Sequence, residues 1–100
     1  MSEKTFEENT LVSVCVTAYN HAPYIAQCLD SILAQRCDFG VEIVVGEDCS
    51  QDSTLAICQS YAERFPTQVR LVTSPQNVGM RANYRRVVEA ARGRYVAFCD

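Results

Sequence analysis

The chain has 100 residues, a formal net charge of −3 and 48% hydrophobic residues. This length suits one domain with a hydrophobic core, and the acidic balance gives no reason to expect nucleic-acid binding. No apolar run approaches the length of a membrane span, and the polar residues 1–10 lack the apolar segment of a signal peptide. We expect residues 1–10 to form a flexible tail and residues 11–100 to form the folded part.

Six cysteines occur without a C-x-x-C pair, and most of them lie in apolar runs. A free cysteine in such a run behaves as a small hydrophobic residue. The composition therefore predicts reduced thiols, no disulfide framework and a cytoplasmic location. The cysteines are Cys15, Cys28, Cys37, Cys49, Cys58 and Cys99.

The first strand is predicted over residues 11–16, which are nearly all apolar, and the polar turn T-A-Y-N comes next, at residues 17–20. Pro23 suits the first turn of a helix, where the missing N–H costs nothing. This helix is predicted to run to about Arg36. Its apolar stripe has the i, i+3, i+4, i+7, i+8 spacing and consists of Ile25, Cys28, Leu29, Ile32 and Leu33.

The second strand, residues 41–45, is short, β-branched and almost wholly apolar, which indicates burial on both faces. It stops at Gly46, and two acids come next, Glu47 and Asp48. Ligands bind at the carboxyl ends of strands in open α/β sheets, so these acids could accept hydrogen bonds from a base or sugar, or hold a cation. A helix-cap region with solvated carboxylates explains the same stretch, because helix-capping residue types come directly after: Ser50, Asp52, Ser53 and Thr54.

A second helix is predicted from Leu55 to Phe65 and is ended by Pro66. A short strand is predicted over residues 69–73 and a loop over residues 74–79. The third helix is closed by Gly93, and a fourth strand is predicted over residues 95–99. The apolar face of the third helix consists of Met80, Tyr84, Val87, Val88 and Ala91.

This strand–helix alternation predicts right-handed βαβ units, a parallel sheet and helices on both of its faces. The fourth strand lacks polar alternation, which is typical of an interior strand. Because no further strand comes after it to pair with it, we expect the chain to be the first part of a larger domain, or to be completed by another chain. An open sheet edge would also favour self-association.

Polar side chains are expected to converge on one rim of this sheet, and their types suit a nucleoside diphosphate with Mn²⁺ or Mg²⁺. A glycine before the third helix would let the backbone approach a ligand, and the helix N-terminus would favour an anion. Each residue also has a structural explanation, such as packing on a helix for the tyrosine. The rim residues are Thr17, Tyr19, Asn20, Glu47, Asp48, Asn77, Gly79 and Asp100.

Four segments in this order resemble the family-2 glycosyltransferases: S-V-C-V-T-A-Y-N and the helix after it, V-E-I-V-V-G-E-D-C-S-Q-D-S-T, N-V-G-M-R-A-N-Y and G-R-Y-V-A-F-C-D. The resemblance runs from Leu11 to Asp100. It implies the GT-A fold, a three-layer Rossmann-like sandwich, and transfer of a sugar from a nucleoside-diphosphate-sugar donor.

The resemblance also implies roles for individual residues. Thr17 and Tyr19 would line the base and ribose pocket, and Asp48 would accept a hydrogen bond from the imide of uracil or thymine. Glu47 replaces the first acid of the more usual D-D-G-S, whereas the second acid is retained. The residues predicted to bind nucleotide are Thr17, Tyr19, Asn20, Glu47, Asp48, Asn77, Gly79, Arg81 and Asn83.

Asp100 would open the D-x-D motif that holds Mn²⁺ or Mg²⁺ against the diphosphate. The rest of that motif, the acceptor half and the general base are expected beyond it, so no catalytic residue is assigned within the chain. The hypothesis is that the parent protein is an inverting glycosyltransferase of cell-envelope or polysaccharide biosynthesis, acting on a glycan or lipid-linked acceptor. The alternative is a nucleotide-binding module that performs no transfer.

Five arginines cluster around the third helix, which is consistent with a solvated face and a favourable charge near the helix C-terminus. Only Arg81, in the first turn, is expected near the diphosphate. A role for the others at anionic lipid would place the protein at the inner face of the membrane. The remaining arginines are Arg85, Arg86, Arg92 and Arg94.

The turn after the first strand disfavours other nucleotide-binding and α/β classes. A receiver-like domain needs an acidic pair there, and T-A-Y-N occupies that place. The sequence has no G-x-G-x-x-G after the first strand and no G-K-[ST] P-loop.

Overall fold

The computed structural model describes residues 10–35 and 39–99. Strands and helices alternate along the chain as predicted. The first predicted helix ends at Leu33, before the predicted end near Arg36. Arg36, residues 1–9 of the predicted tail and Asp100 lie outside the described residues. The elements are β1 (Thr10–Ala18), α1 (Ala22–Leu33), β2 (Gly40–Glu47), α2 (Thr54–Arg64), β3 (Val69–Val72), α3 (Met80–Ala90) and β4 (Tyr95–Cys99).

The four strands form one parallel sheet in the order β3-β2-β1-β4. Val14 of β1 lies between Ile43 of β2 and Ala97 of β4. β1 extends two residues beyond its predicted end, because Thr17 and Ala18 continue to pair with the end of β2. All four strands therefore end at the same edge of the sheet.

Helices cover both faces of the sheet, which confirms the predicted three-layer arrangement. Neighbouring residues on a strand point to opposite faces, so Val16 and Val45 pack in the cluster with α1 and α2, whereas Cys15 and Val44 pack against Val87 of α3. The connection through α3 crosses from β3 to the other side of β1. The order of strand addition therefore reverses between β1 and β4, and ligands of open α/β sheets bind near such a reversal.

Gly46 lets α3 approach the carboxyl end of β2. A Cβ atom there would lie 2.3 Å from Cγ2 of Val87 and 2.6 Å from Oδ1 of Asn83. Real Cβ atoms do not approach other atoms so closely, so a larger residue would displace the helix. The glycine thus fixes the start of α3 above the end of β2.

Glu42 is a buried charge in a strand that was predicted to be almost wholly apolar. Its side chain is fully buried; Oε2 accepts hydrogen bonds from Oγ of Ser13 (2.5 Å) and N of Arg92 (2.7 Å). Nη1 of Arg70 lies 3.3 Å from Oε1, and Oγ of Ser13 accepts a hydrogen bond from N of Gly93. This network holds the turn before β4 against the sheet.

β4 pairs with β1 and has no other strand neighbour in the part of the chain that the structure describes. Among the described residues β4 is an edge strand, although its apolar side chains are of the interior type; its place as an interior strand of a larger domain stays a prediction. Tyr95 is 61% exposed and Phe98 is 54% exposed. The ring of Phe98 stacks on that of Tyr84 with centroids 4.8 Å apart.

The five cysteines within the described residues are free thiols. Burial raises the pKa of Cys58 to about 12. Burial and the neighbouring Cys99 thiol raise the pKa of Cys28 to about 11. Both groups therefore remain protonated at neutral pH. No helix among the described residues is long and apolar enough to cross a membrane.

Candidate functional site

A cavity of about 360 Å³ opens at the carboxyl ends of β1 and β2, beside the start of α3. Six of the nine residues predicted to bind nucleotide lie on its wall, although they come from three separate parts of the chain. Parallel strands end at one edge, which is why these parts meet. The six residues are Thr17, Tyr19, Asp48, Asn77, Gly79 and Asn83.

Asp48 joins the end of β2 to the loop before α3. Its side chain is 2% exposed, its Oδ1 accepts a hydrogen bond from N of Val78 (2.7 Å), and its Oδ2 accepts one from N of Gly79 (3.0 Å). Its carbonyl oxygen accepts a third bond, from Nδ2 of Asn77. An ionised carboxylate has about four acceptor positions. The two backbone bonds use two of them, and Asp48 also contributes to the wall of the cavity.

Gly79 has a backbone conformation that only glycine adopts readily, with φ 91° and ψ 158°. A Cβ atom there would meet nothing within 4 Å, so the requirement is conformational rather than steric. The carbonyl oxygen of Gly79 accepts a hydrogen bond from N of Asn83 and so begins the first turn of α3. The helix N-terminus is thereby presented at the cavity.

Asn83 is held rigidly at the base of the cavity. It is 2% exposed, and its Nδ2 donates a hydrogen bond to the carbonyl oxygen of Gly46 at 2.9 Å. Its Oδ1 accepts a bond from Nη2 of Arg86 at 2.6 Å, and Nη1 of Arg86 donates to the carbonyl oxygen of Thr73. Both ends of the amide are engaged, so Asn83 orients α3 while it lines the cavity.

Tyr19 presents an aromatic surface to the cavity. It is 40% exposed, and its ring makes no hydrogen bond or ring stacking with any residue that the structure describes. An aromatic face in this position is suited to stacking against a planar base.

Three of the predicted residues lie away from the wall. Glu47 is fully buried, and its carboxylate accepts hydrogen bonds from N of Cys49 and N of Ser50, each at 3.0 Å. Asn20 accepts a hydrogen bond from the neighbouring loop. Arg81 is exposed on the first turn of α3. The structure thus brings together six of the nine and gives Glu47 and Asn20 contacts within the loops.

His21 and Met80 line the cavity, although sequence reasoning did not select them. His21 directly follows the polar turn T-A-Y-N, and Met80 was placed on the apolar face of the third helix. Met80 is in fact 79% exposed, because it is the first residue of α3 and precedes the turns that pack on the sheet. Its position immediately after Gly79 was the available signal.

The described residues do not form a metal site by themselves. No group of three or more histidine, cysteine or acidic side chains among them is arranged to hold a metal ion. Asp48 is the one carboxylate among the residues of the wall, and both of its oxygens already accept backbone N–H groups. The predicted metal ligand, Asp100, lies outside the described residues.

A second cavity, of about 290 Å³, lies toward the other end of the sheet. Its wall is mainly apolar, with Val12, Ile32, Phe39 and Ile43 among its residues, and it contains no acidic or basic side chain. It lacks the convergent polar groups that orient a ligand. The cavity beside Asp48 is therefore the candidate site.

Comparison with known proteins identifies the family. Residues 13–100 match the profile of glycosyl transferase family 2. The chain is 37% identical over 90 residues to the putative teichuronic acid biosynthesis glycosyltransferase TuaG of Bacillus subtilis, a match that covers 90% of this chain and 35% of that protein.

Solved structures show the same fold. The TM-score is 0.78, with 33% sequence identity, for S. aureus TarS in complex with UDP-GlcNAc, and the match covers 91% of this chain and 26% of that one. For the mannosyltransferase PcManGT of Pyrobaculum calidifontis in complex with GDP-Man and Mn²⁺, the TM-score is 0.70 and the sequence identity is 28%. That match covers 87% of this chain and 26% of the PcManGT chain. The chain thus spans about a quarter to a third of the length of these three proteins. The fold is the predicted GT-A arrangement, and the chain belongs to glycosyl transferase family 2.

Proposed function

We propose that this chain is the donor-binding part of a glycosyltransferase and that the cavity beside Asp48 binds the nucleotide of a nucleoside-diphosphate sugar. The observation that carries the proposal is the meeting of Thr17, Tyr19, Asp48, Gly79 and Asn83 on one wall. The similarity to TarS, whose structure holds UDP-GlcNAc, supports it.

In this proposal Tyr19 and Asp48 recognise the base. The ring of Tyr19 stacks on the base, and the carboxylate of Asp48 accepts a hydrogen bond from the imide N–H of uracil or thymine. Two backbone N–H groups already fix the orientation of the carboxylate, so little conformational freedom is lost on binding. UDP- and dTDP-linked sugars are therefore the proposed donors.

The diphosphate is proposed to lie at the N-terminus of α3. Gly79 has no side chain, and no atom lies within 4 Å of where its Cβ would be, so a ligand can approach the backbone there. The first N–H groups of an 11-residue helix favour an anion. The exposed guanidinium of Arg81, in the first turn, adds positive charge. Thr17 and Asn77 border the ribose and the loop.

A divalent cation, Mn²⁺ or Mg²⁺, is proposed at Asp100. The support is the sequence resemblance together with the Mn²⁺ in the PcManGT complex; the described residues alone do not fit a metal. The test is UDP affinity with and without MnCl₂ in the chain and in Asp100→Asn. Added Mn²⁺ should strengthen UDP binding in the chain and leave the variant unchanged, and an equal effect in both would remove Asp100 from the metal site.

The whole parent protein is proposed to transfer the sugar with inversion to a glycan or lipid-linked acceptor, with its general base beyond Asp100. The likeness to TuaG, a putative teichuronic acid biosynthesis glycosyltransferase, supports a cell-envelope product. A nucleotide-binding module without transfer is the second candidate, because Asp48 is the one carboxylate on the described wall and its proposed role is to bind the base. Cytoplasmic location and contact with the inner face of the membrane remain predictions.

Isothermal titration calorimetry with UDP and CDP tests the binding proposal. Cytosine has an acceptor nitrogen where uracil has the imide N–H, so it would face the carboxylate of Asp48 unfavourably. UDP should bind at least about tenfold more tightly than CDP, which corresponds to one charged hydrogen bond. Equal affinities would contradict base recognition by Asp48. A transfer assay with UDP-sugars then separates the enzyme from the binding module.

A further inference from the structure

The loops after β1 and β2 are joined side by side next to the cavity. N of Asn20 donates a hydrogen bond to Oγ of Ser50 (2.9 Å), and N of Gln51 donates one to Oδ1 of Asn20 (2.8 Å). N of His21 donates to Oγ1 of Thr54 at 2.8 Å. We call this set of cross-loop bonds, completed by Asp52, the loop clasp.

Asp52 completes the clasp and replaces a helix cap. Its Oδ2 accepts a hydrogen bond from N of Ala22, the first residue of α1, at 3.2 Å. No side chain of its own N-cap residue, His21, caps this helix, so the other loop satisfies its first N–H groups. Hydrogen bonds from Thr54 lower the pKa of the Asp52 carboxyl below its ordinary value. The carboxylate is therefore ionised at neutral pH and accepts these bonds.

Asn20, Ser50 and Asp52 of the clasp lie outside the cavity, whereas the residues on either side of Asn20 lie on its wall. Tyr19 and His21 line the cavity, and Asn20 lies between them with φ 53°. This left-handed conformation, which asparagine tolerates better than most residues, turns the chain between its two neighbours. Because Tyr19 is joined directly to Asn20, the conformation of this turn sets the point from which the Tyr19 ring extends at the cavity.

We propose that the loop clasp positions Tyr19 for nucleotide binding, so that Asn20, Ser50 and Asp52 are positioning residues and do not contact the nucleotide. The inference rests on the proposed function of the cavity. It gives Asn20 a role different from the direct contact expected from the sequence. It also explains why Ser50 and Thr54, which were interpreted only as helix-capping types, matter for the site.

A double-mutant cycle with UDP tests this. Ser50→Ala removes the acceptor for N of Asn20 and should weaken UDP binding about fivefold, as the loss of one ordinary hydrogen bond does. Ser50→Thr keeps the hydroxyl group and should restore the affinity. In the Tyr19→Ala background, Ser50→Ala should change the affinity less than about twofold, because the residue it positions is gone. Ser60→Ala, an exposed serine on α2, is the control.

Amide hydrogen exchange, measured by NMR without nucleotide, provides a second readout. Ser50→Ala should speed the exchange of the Asn20 amide and shift the ring signals of Tyr19, with α3 unchanged. Wild-type UDP affinity in Ser50→Ala would overturn the positioning role, as would an equal loss in the two backgrounds. If the unmutated chain binds no UDP, the proposed function fails and the role of the clasp in binding fails with it, while the exchange data still report whether the clasp exists.

Discussion

Asp48 shows how one residue can both build a site and act in it. Its buried carboxylate accepts the N–H groups of Val78 and Gly79, and so holds the loop before α3 in place. The same residue lies on the wall of the cavity, where the base is proposed to bind. Loss of this carboxylate therefore affects the shape of the cavity as well as its chemistry.

Asp48→Asn preserves the size of the side chain but points an NH₂ group at a backbone N–H. We expect UDP affinity to fall at least roughly tenfold, since a charged hydrogen bond is lost and the loop loosens. The far-ultraviolet circular dichroism spectrum should remain that of the folded chain. An unchanged dissociation constant, measured by calorimetry, would remove Asp48 from the binding site.

Cys49 occupies the position of the glycine in the more usual D-D-G-S, and its φ of 59° shows why glycine is usual there. Cys49→Gly should leave the free energy of unfolding unchanged or raise it by up to about 1 kcal/mol. Cys49→Val should lower it by about 1–2 kcal/mol, because a β-branched side chain is strained in the left-handed region. Urea unfolding measures both; equal stability of the two variants would contradict this account.

Among the secondary-structure elements, the position of α3 depends on its close approach to β2 and on the turn with which it begins. Gly46 allows the helix to touch the end of β2, and Gly79 begins its first turn. Position 46 requires glycine because there is no space for a Cβ atom, and position 79 requires it because of its backbone conformation. Alanine substitutions at the two positions distinguish the two causes.

Gly46→Ala should lower the free energy of unfolding by about 1–3 kcal/mol, because the new methyl group overlaps the side chains of Val87 and Asn83. Gly79→Ala should lower it by about 1–3 kcal/mol through backbone strain alone, because its φ of 91° and ψ of 158° suit only glycine. The second substitution Val87→Ala makes space beside position 46. It should restore part of the stability lost in Gly46→Ala and none of the stability lost in Gly79→Ala. Denaturant titrations provide the values, and equal offsets would contradict the assignment.

The elements could be predicted from the sequence because their patterns are local. The stripe at Ile25, Leu29 and Ile32 and the apolar run of β2 each indicate one kind of structure.

Glu42 could not be interpreted this way, since its partners Ser13, Arg70 and Arg92 lie 28 to 50 residues away. Thr17, Tyr19 and Asp48 could be placed on the cavity wall because strand ends share an edge, whereas Asn83 came from the resemblance to the family-2 glycosyltransferases. The loop clasp could not be predicted, because it consists of hydrogen bonds between individual atoms of two loops, and the spacing of residues along the sequence does not show which atoms pair.

For the whole molecule, the outer side of β4 is the exposed edge. Val96 is 39% exposed, beside the more exposed Tyr95 and Phe98, and an open apolar edge favours pairing with another strand. We expect the sedimentation coefficient of the chain to rise with concentration. Val96→Lys should reduce that rise, because a charged edge resists pairing, whereas Gln59→Lys on α2 should not. An identical concentration dependence in all three proteins would contradict self-association through β4.

The place at which a nucleotide binds can be located along the whole chain. An NMR titration with UDP and MgCl₂ tests it most directly, because each backbone amide reports on its own surroundings. We expect the largest shifts at Thr17, Tyr19, Asp48 and Gly79, which lie on the cavity wall. Largest shifts at Val12 and Phe39, around the apolar cavity toward the other end of the sheet, would contradict it.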